Sequence, residues 1–217
     1  MIDMLKKNKI IGILMAHDDD RWLIPCLMNL DKYVDGIYVN LNQPTKICRE
    51  IIESWPTVKR IIYTTNKNNK WNQGIQRNNS IRMLDDVRPD VVLFPDSDET
   101  YPDNFKTILS DFLKSGLNTL WFGLFYYWDS PHLVRRDGRW KSIHHVRAYR
   151  WQPGITYIPY AGYTNPTTFI NEKKFNSPVA MNHWGYMLKE DRERKYDRGI
   201  KANYSYKGII LKNVRGN

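Results

Sequence analysis

The chain has 217 residues, 41% of them hydrophobic, and carries a formal net charge of +10. This length is enough to bury a hydrophobic core, and it predicts one domain, or one domain with a small appendage. No segment approaches the roughly 20 apolar residues of a membrane-spanning helix, and two cysteines are too few for a disulfide scaffold. We therefore expect a cytoplasmic protein with no transmembrane segment, whose positive charge serves an anionic partner or solubility.

The first 119 residues alternate between apolar runs of strand length and segments with helical spacing of apolar residues. The predicted strands cover residues 10–16, 36–40, 58–63 and 91–94, and the predicted helices cover 21–30, 45–54, 73–84 and 105–113. A strand-helix order repeated four times predicts right-handed crossovers and a doubly wound, mostly parallel sheet.

The sequence changes in character after Leu120. Aromatic residues crowd together in 121–128, a hairpin-like break follows at 136–138, and further strands are predicted at 146–151 and 156–160. We interpret this part as an antiparallel addition to the sheet that forms one side of a cleft.

A cluster of acids directly follows the fourth predicted strand. Residues 91–95 (VVLFP) contain no polar side chain, which is typical of a strand buried on both faces, and Asp96, Asp98 and Glu99 come next. Carboxylates at the carboxyl end of such a strand lie where open α/β sheets bind ligands. On a continuing strand Asp96 and Asp98 would point the same way, and their oxygens would suit Mg²⁺ or Mn²⁺. The alternative is a solvated acidic turn that caps a helix starting near Pro102.

The C-terminal segment from Lys189 to Asn217 is strongly basic. Its nine basic and four acidic side chains give it a net charge of +5, half of the excess of the whole chain. This pattern predicts a solvated helix face, or a segment that closes over a diphosphate or holds a polyanion.

Together these features resemble the nucleotide-sugar-dependent glycosyltransferases of the GT-A fold, in their family 2-like group. The resemblance covers about residues 8–200 and depends on short motifs in a fixed order. They are 16–27 (AHDDDRWLIPCL), 33–39 (YVDGIYV), Trp71 followed by 76–78 (QRN), 94–99 (FPDSDE), and 183–186 (HWGY) with Arg192 and Lys195 downstream. It implies an α/β fold with a Rossmann-like, mostly parallel sheet, an antiparallel acceptor-side extension and a basic C-terminal segment. One domain would span 1–217, with a nucleotide-sugar-binding half at about 8–119, an acceptor-side half at about 120–186 and the basic segment at about 187–217.

The resemblance also implies a metal site. Asp98 would bind Mn²⁺ or Mg²⁺, Asp96 would bind the metal or contact the donor, and His183 would be the third protein ligand. A divalent ion that bridges two phosphates stabilises a leaving diphosphate. Arg77 would reach a phosphate or a donor hydroxyl. The alternatives are a core histidine beside Trp184 and a surface arginine on a helix.

The base and ribose of the donor would meet the ends of the first two strands, at His17, Asp18 and Asn40. A UDP-sugar is the donor that the resemblance favours. The base stays open, because many members have an acid where this chain has Asn40. An amide can still pair with a pyrimidine edge through its donor and acceptor.

Transfer with inversion needs an ionised general base near the acceptor hydroxyl. Asp129, directly after the aromatic run, is the main candidate, with Glu99 and Asp191 as alternatives. Glu99 could instead fix the motif turn. No nucleophile motif for a covalent route is evident, which favours inversion.

Two classes of acceptor fit the sequence, and the oligomeric state stays open. One is a glycan or lipid-linked saccharide, and the other is a polyanion such as DNA with hydroxylated bases. The second rests on basic residues near the aromatics: Arg135, Arg136, Arg139, Lys141, Arg147 and Arg150. Outside this enzyme class, the alternative is a non-catalytic nucleic-acid-binding module. A nucleotidyltransferase is disfavoured because no glycine-rich phosphate loop follows the first strand.

Overall fold

The computed structural model describes residues 7–18, 20–65, 72–136, 144–157 and 171–201 as an α/β fold. Its strands are β1 (Ile10–Ala16), β2 (Gly36–Asn42), β3 (Val58–Thr64), β4 (Val91–Leu93), β5 (Glu99–Thr100), β6 (Thr119–Trp128), β7 (Ser130–Val134), β8 (His144–Arg150), β9 (Lys174–Asn176) and β10 (Met181–His183). Its helices are α1 (Asp20–Leu30), α2 (Lys46–Ser54), α3 (Gln73–Arg82), α4 (Phe105–Ser115) and α5 (Lys189–Lys201).

The first half forms a parallel sheet in the order β3-β2-β1-β4. β1 is buried almost throughout because it lies in the middle, with β2 on one side and β4 on the other. The carboxyl ends of these parallel strands meet at one edge of the sheet. This edge carries both the acidic motif and the residues that follow β1.

The second half extends the same sheet with antiparallel pairs. β8 lies between β4 and β6 and is antiparallel to both. β10 runs parallel to β6 and antiparallel to the short β5, which follows the acidic motif. The predicted mostly parallel sheet with an antiparallel extension is thus confirmed.

The helices pack through the apolar positions that predicted them. In α1 the buried residues Leu23, Cys26, Leu27 and Leu30 follow the three-and-four spacing of one helix face. Gly12 of β1 makes room for this face, since a Cβ there would lie 2.8 Å from Leu30 Cδ2. This close approach holds α1 against the sheet and sets where the loop before it leaves β1.

Two of the strand predictions fail in the structure. β4 ends at Leu93, and Asp96 and Asp98 follow in a turn, so the alternation expected on a continuing strand does not apply. Residues 155–157 form no strand, and the remainder of the strand predicted at 156–160 lies outside the described residues. Also outside them are Trp71, Arg139, Lys141, most of the break at 136–138 and the basic segment beyond 201. No helix among the described residues is both long and apolar enough to cross a membrane.

Candidate active site

The acidic motif is a buried turn. Glu99 has no exposed surface and Asp98 is 6% exposed, while only the Asp96 side chain, at 28%, reaches solvent. The backbone N–H of Asp96 donates to Glu99 Oε2 at 2.9 Å and closes the turn. The alternative of a solvated acidic turn is therefore wrong. Helix α4 begins later, after Asn104, whose side chain makes no capping hydrogen bond.

Arg147 of β8 holds two of the three acids from inside the protein. Its Nε and Nη2 donate to the two oxygens of Glu99 at 2.5 and 2.7 Å, and Nη2 also donates to Asp96 Oδ2 at 2.7 Å. Arg77 of α3 donates to the other Asp96 oxygen at 2.5 Å. Burial would lower the pKa of Arg147, but attraction by Asp96 and Glu99 outweighs it and raises that pKa. Glu99 has the contacts expected if it fixes the motif turn.

The same charges keep Asp96 ionised. Burial opposes ionisation of its carboxyl group, but Arg147 and Arg77 more than compensate and lower its pKa. Each of its two oxygens accepts a hydrogen bond from a guanidinium group. Asp96 is thus committed to arginines, in contrast to Asp98.

Strand pairing brings His183 to Asp98 from the far end of the chain. β10 pairs with β5 so that His183 lies opposite Glu99, and the N–H of Trp184 donates to the carbonyl of Asp98 at 2.9 Å. His183 Nε2 then faces Asp98 Oδ1 at 3.8 Å. The other oxygen, Asp98 Oδ2, accepts from the Lys195 ammonium of α5.

His183 is a buried, neutral imidazole. Burial lowers its pKa, and the attraction of Asp98 only partly opposes this. Its ring stacks on Tyr186, with 5.1 Å between centroids, and lies 4.9 Å from the ring of Tyr126. Nδ1 is buried and has no hydrogen-bond partner among the described residues. An imidazole in this state can lend a nitrogen lone pair to a cation.

The contacts decide which predicted metal ligands fit a divalent ion. Metal–ligand distances of about 2.0–2.2 Å allow two ligands of one ion to be up to about 4.4 Å apart. Asp98 and His183, at 3.8 Å, fit this limit. Asp96 does not join Asp98 and His183, because its oxygens accept from arginines. No group of three or more His, Cys, Asp or Glu side chains within the described ranges is placed to hold a metal. The protein therefore offers one carboxylate and one imidazole.

The predicted donor residues lie at the edge where β1 and β2 end, but they are not equivalent. His17 Nδ1 lies 2.5 Å from the carbonyl of Asn42, and Asp18 Oδ1 pairs with Arg194 of α5 at 3.1 Å. Asn40 is fully buried; its amide donates to the carbonyl of Gln76 and accepts from a neighbouring threonine. Only His17 and Asp18 of these three are partly exposed.

Helix α5 is fastened to α1 by Asp191. This buried carboxylate accepts from Trp22 Nε1 at 2.9 Å and lies 3.5 Å from the guanidinium groups of Arg21 and Arg194. A buried carboxylate with three partners on two helices is typical of a residue that stabilises the packing of those helices. The alternative general base Asp191 is thus occupied by structural contacts.

Asp129, the main candidate for the general base, lies at the turn after β6. Its side chain is 59% exposed and accepts from Arg192 Nη2 at 2.6 Å. Its backbone has a φ of 61°, in the left-handed region, and its N–H donates to the carbonyl of Met187. Arg192 also donates to the carbonyls of Tyr186 and Met187, so the start of α5 and Asp129 are held together.

Two of the basic residues assigned to a polyanion surface point into the fold. Arg147 binds the acidic motif, and Arg150 donates to the carbonyls of Leu117 and Leu113. Arg135 stacks on Trp128, with its guanidinium carbon 4.7 Å from the ring centroid. Arg147 and Arg150 therefore add nothing to a phosphate-binding face.

The sequence interpretation missed two features of this site. The sequence places Arg147 among the basic residues of an acceptor surface, and no local pattern indicates that it pairs with the acidic motif. Gly185 stands out in the sequence only as part of its motif, yet a Cβ at this position would collide with the carboxylate of Asp98 and the ammonium of Lys195. A glycine two residues after the predicted ligand His183 is the sign of close packing that the sequence offers.

Comparison with known proteins gives likenesses of structure only. No protein-family model matches the sequence, and no curated protein is significantly similar to it. The structure of TarS 1-349 from S. aureus has a TM-score of 0.51 at 12% identity and covers 90% of this chain and 66% of that one. A mycobacterial protein has a TM-score of 0.51 at 15% identity, over 93% and 77% of the two chains.

Glucosyl-3-phosphoglycerate synthase from Mycobacterium tuberculosis, solved with Mg²⁺ and UDP, has a TM-score of 0.43 at 18% identity and covers 58% of this chain. This chain spans about half of the synthase, 48%, and just under two thirds of the TarS chain. The two structures at a TM-score of 0.51 show a shared fold. The sheet order, the buried acidic turn and the neighbours at a TM-score of 0.51 agree, and the chain has the GT-A fold.

Proposed function

We propose that this protein is a metal-dependent glycosyltransferase that moves a sugar from a nucleotide-sugar donor to a hydroxyl group, with inversion. The observation that carries the proposal is the pair formed by Asp98 and His183 at the carboxyl edge of the sheet, 3.8 Å apart beside a buried acidic turn. A carboxylate and a neutral imidazole at a ligand-binding edge suit a divalent ion that is shared with a substrate.

Asp98 and His183 would hold Mn²⁺ or Mg²⁺. When bound, the ion supplies positive charge to the diphosphate as it leaves. Arg147 and Glu99 keep the turn in place, so the Asp98 carboxylate stays directed at His183. We assign Asp96 to the donor side, through its contact with Arg77 at the same edge.

The donor would lie across the ends of β1 and β2. His17 and Asp18 are partly exposed there and can meet the ribose or base, while the buried Asn40 would hold α3 against β2 through its hydrogen bond to Gln76. We propose that the donor is a UDP-sugar.

Asp129 would take the proton of the acceptor hydroxyl. It lies three residues beyond Tyr126, which is paired with His183, and so roughly 10 Å further along the strand direction. Arg192 donates to its carboxylate and fixes that carboxylate beside the start of α5, where it could act as a general base. A base on the acceptor side, separate from the metal pair, is the arrangement that a single displacement with inversion requires.

The acceptor we favour is a glycan or a lipid-linked saccharide. Trp22, Trp184 and Tyr127 form a partly exposed stack of rings next to the metal pair, with Trp184 at centroid distances of 5.9 and 4.3 Å from the other two. Aromatic faces and a few hydrogen-bonding groups suit a sugar ring. Two of the arginines that would face DNA are engaged inside the fold instead. Cys26 and Cys48 are buried, reduced thiols, which suits the reducing cytoplasm in which we place the activity.

The deciding experiment is a thermal-shift panel of nucleoside diphosphates and nucleotide sugars, each with Mn²⁺ and with a chelator. Ligand at about 100 times its dissociation constant adds roughly 2.7 kcal/mol, or several degrees for a chain of this size. We expect the shift only with metal and one nucleotide. It should vanish in Asp98→Asn and persist in Asp111→Asn, which removes an exposed carboxylate on α4.

The outcomes separate the alternatives. An equal shift in Asp98→Asn would refute the metal role, and no shift with any nucleotide would favour a non-catalytic nucleic-acid-binding module. For the acceptor, transfer to a neutral glycan should be insensitive to salt. Turnover that falls steeply with added salt would point to DNA instead.

A further inference from the structure

The positive charge that contacts Asp98 in this structure is the ammonium group of Lys195. Lys195 extends from α5 and places its ammonium group on Asp98 Oδ2, the oxygen that does not face His183. The ammonium also lies over the ring of Tyr186, 4.5 Å from its centroid. A lysine thus reaches the ligand that the proposed function gives to a metal ion.

The charges of this cluster balance without any added ion. Its three acids, Asp96, Asp98 and Glu99, are matched by three bases, Arg77, Arg147 and Lys195. A divalent cation would add two positive charges beside the lysine in a largely buried site, where water screens them weakly. The ammonium and the ion therefore cannot both lie against Asp98 without a large repulsion.

Of the three bases, Lys195 is the one built to move. The side chains of Arg77 and Arg147 are 5% and 1% exposed, and both are fixed by carboxylates. The Lys195 side chain is 18% exposed, and its flexible stem can swing the ammonium away from Asp98. A diphosphate bound at the same edge would offer it a new anion within reach.

We propose that Lys195 and the divalent ion compete for Asp98, and that the diphosphate of the donor accepts the displaced ammonium. This proposal rests on the proposed function, since it takes Asp98 as the metal ligand. In the free protein Lys195 keeps Asp98 paired and weakens metal binding. Once the donor is bound, Lys195 becomes a positioning residue for the diphosphate, so metal and nucleotide bind tightly only together.

The test is the affinity for Mn²⁺ alone, measured by electron paramagnetic resonance of free and bound ion. Removal of a competing charged hydrogen bond should tighten Mn²⁺ binding by about tenfold or more in Lys195→Met. Lys189→Met is the matched control, because it removes the same charge from an exposed position on α5. We expect Lys189→Met and the charge-retaining Lys195→Arg to bind Mn²⁺ as weakly as the unsubstituted protein. Equal or weaker binding in Lys195→Met would overturn the competition.

A second measurement repeats the titration with saturating UDP. The nucleotide should tighten Mn²⁺ binding strongly in the unsubstituted protein and clearly less in Lys195→Met, which has no ammonium to transfer. An equal gain in the two proteins would overturn the transfer to the diphosphate. Absence of Mn²⁺ binding in every variant, with or without UDP, would refute the metal site itself. Equal Mn²⁺ binding in Lys195→Met and the unsubstituted protein would refute only the competition and leave the proposed function standing.

Discussion

Arg147 meets Glu99 in the interior of the protein, donating from Nε and Nη2 to both carboxylate oxygens at 2.5 and 2.7 Å. A charged pair removed from water is costly to form but far more costly to break, because one uncompensated charge stays behind. This pair joins the antiparallel extension to the motif of the parallel half. The candidate site therefore depends on a contact between the two parts of the sheet.

Arg147→Met should destabilise the fold strongly. It leaves Glu99 buried without its partner and removes one of the two arginines on Asp96, and loss of one member of a buried pair costs about 3–5 kcal/mol. The free energy of unfolding in urea measures this. Arg60→Met, which breaks an exposed pair with Asp86, is the control and should change stability little. Similar small losses in both variants would contradict the account of Arg147.

Asp129→Asn should slow sugar transfer without weakening the binding of the donor. The amide keeps the size of the carboxylate but cannot take a proton, and loss of a general base costs about 10²–10⁴ in rate. Steady-state kinetics should show a lower kcat with the thermal shift by nucleotide and metal unchanged. Asp191→Asn serves as the comparison, since it should lower stability by loosening α5 from Trp22. Full turnover in Asp129→Asn would exclude it as the base.

Gly185→Ala should damage the site and spare the fold. The three atoms nearest to the new methyl group would belong to the side chains of Asp98 and Lys195, so the collision falls on the proposed site rather than on the backbone of the sheet. Nucleotide and metal binding should fall in calorimetry while the melting temperature changes little. Gly123→Ala is the control, because a Cβ there meets its nearest atoms at 3.8 Å, an ordinary contact. Undiminished binding in Gly185→Ala would show that Asp98 need not hold its present position.

His145 should make stability depend on pH. Burial, aided by the nearby Arg147, lowers the pKa of His145 from 6.5 to about 3. As the pH falls below about 6.5, His145 takes up a proton in the unfolded chain but stays neutral in the folded one. The free energy of unfolding therefore decreases from about pH 6.5 down to about pH 3. The slope is at most ~1.4 kcal/mol per pH unit.

Urea unfolding near pH ~7 and ~5 should show a smaller loss of stability in His145→Gln than in the unsubstituted protein. His132→Gln, at an exposed position of β7, should behave like the unsubstituted protein. The same pH slope in all three proteins would show that His145 does not titrate in this way.

The parallel half could be predicted from the sequence because each of its units has a local pattern. The bounds predicted for β1 are those observed, and α1 buries the apolar face that predicted it. The acidic motif and His183 stood out as polar residues beside apolar runs. Their meeting is a matter of strand pairing, since His183 reaches Asp98 only because β10 lies between β6 and β5.

The rest of the site could not be predicted, for a physical reason. Nothing near Arg147 in the sequence indicates that β8 inserts between β4 and β6 and turns this side chain inward. Lys195 and Asp98 are likewise 97 residues apart. Ion pairs of this range depend on the complete tertiary fold, and local periodicity carries no information about them.

The long range of the Arg147 contact also bears on how the chain folds. Until β8 joins the sheet, the carboxylates of Asp96, Asp98 and Glu99 lack Arg147. Arg77, which precedes them in the chain, is then the arginine that can pair with Asp96. Repulsion among these carboxylates opposes compaction of the motif. The contact between Arg147 and Glu99 also has to close a loop of about 50 residues, which costs conformational entropy before the contact can form. Insertion of β8 should therefore be a slow, late step of folding. During synthesis, the amino-terminal half would leave the ribosome before Arg147 is made, so its acidic turn would lack the arginine that stabilises it.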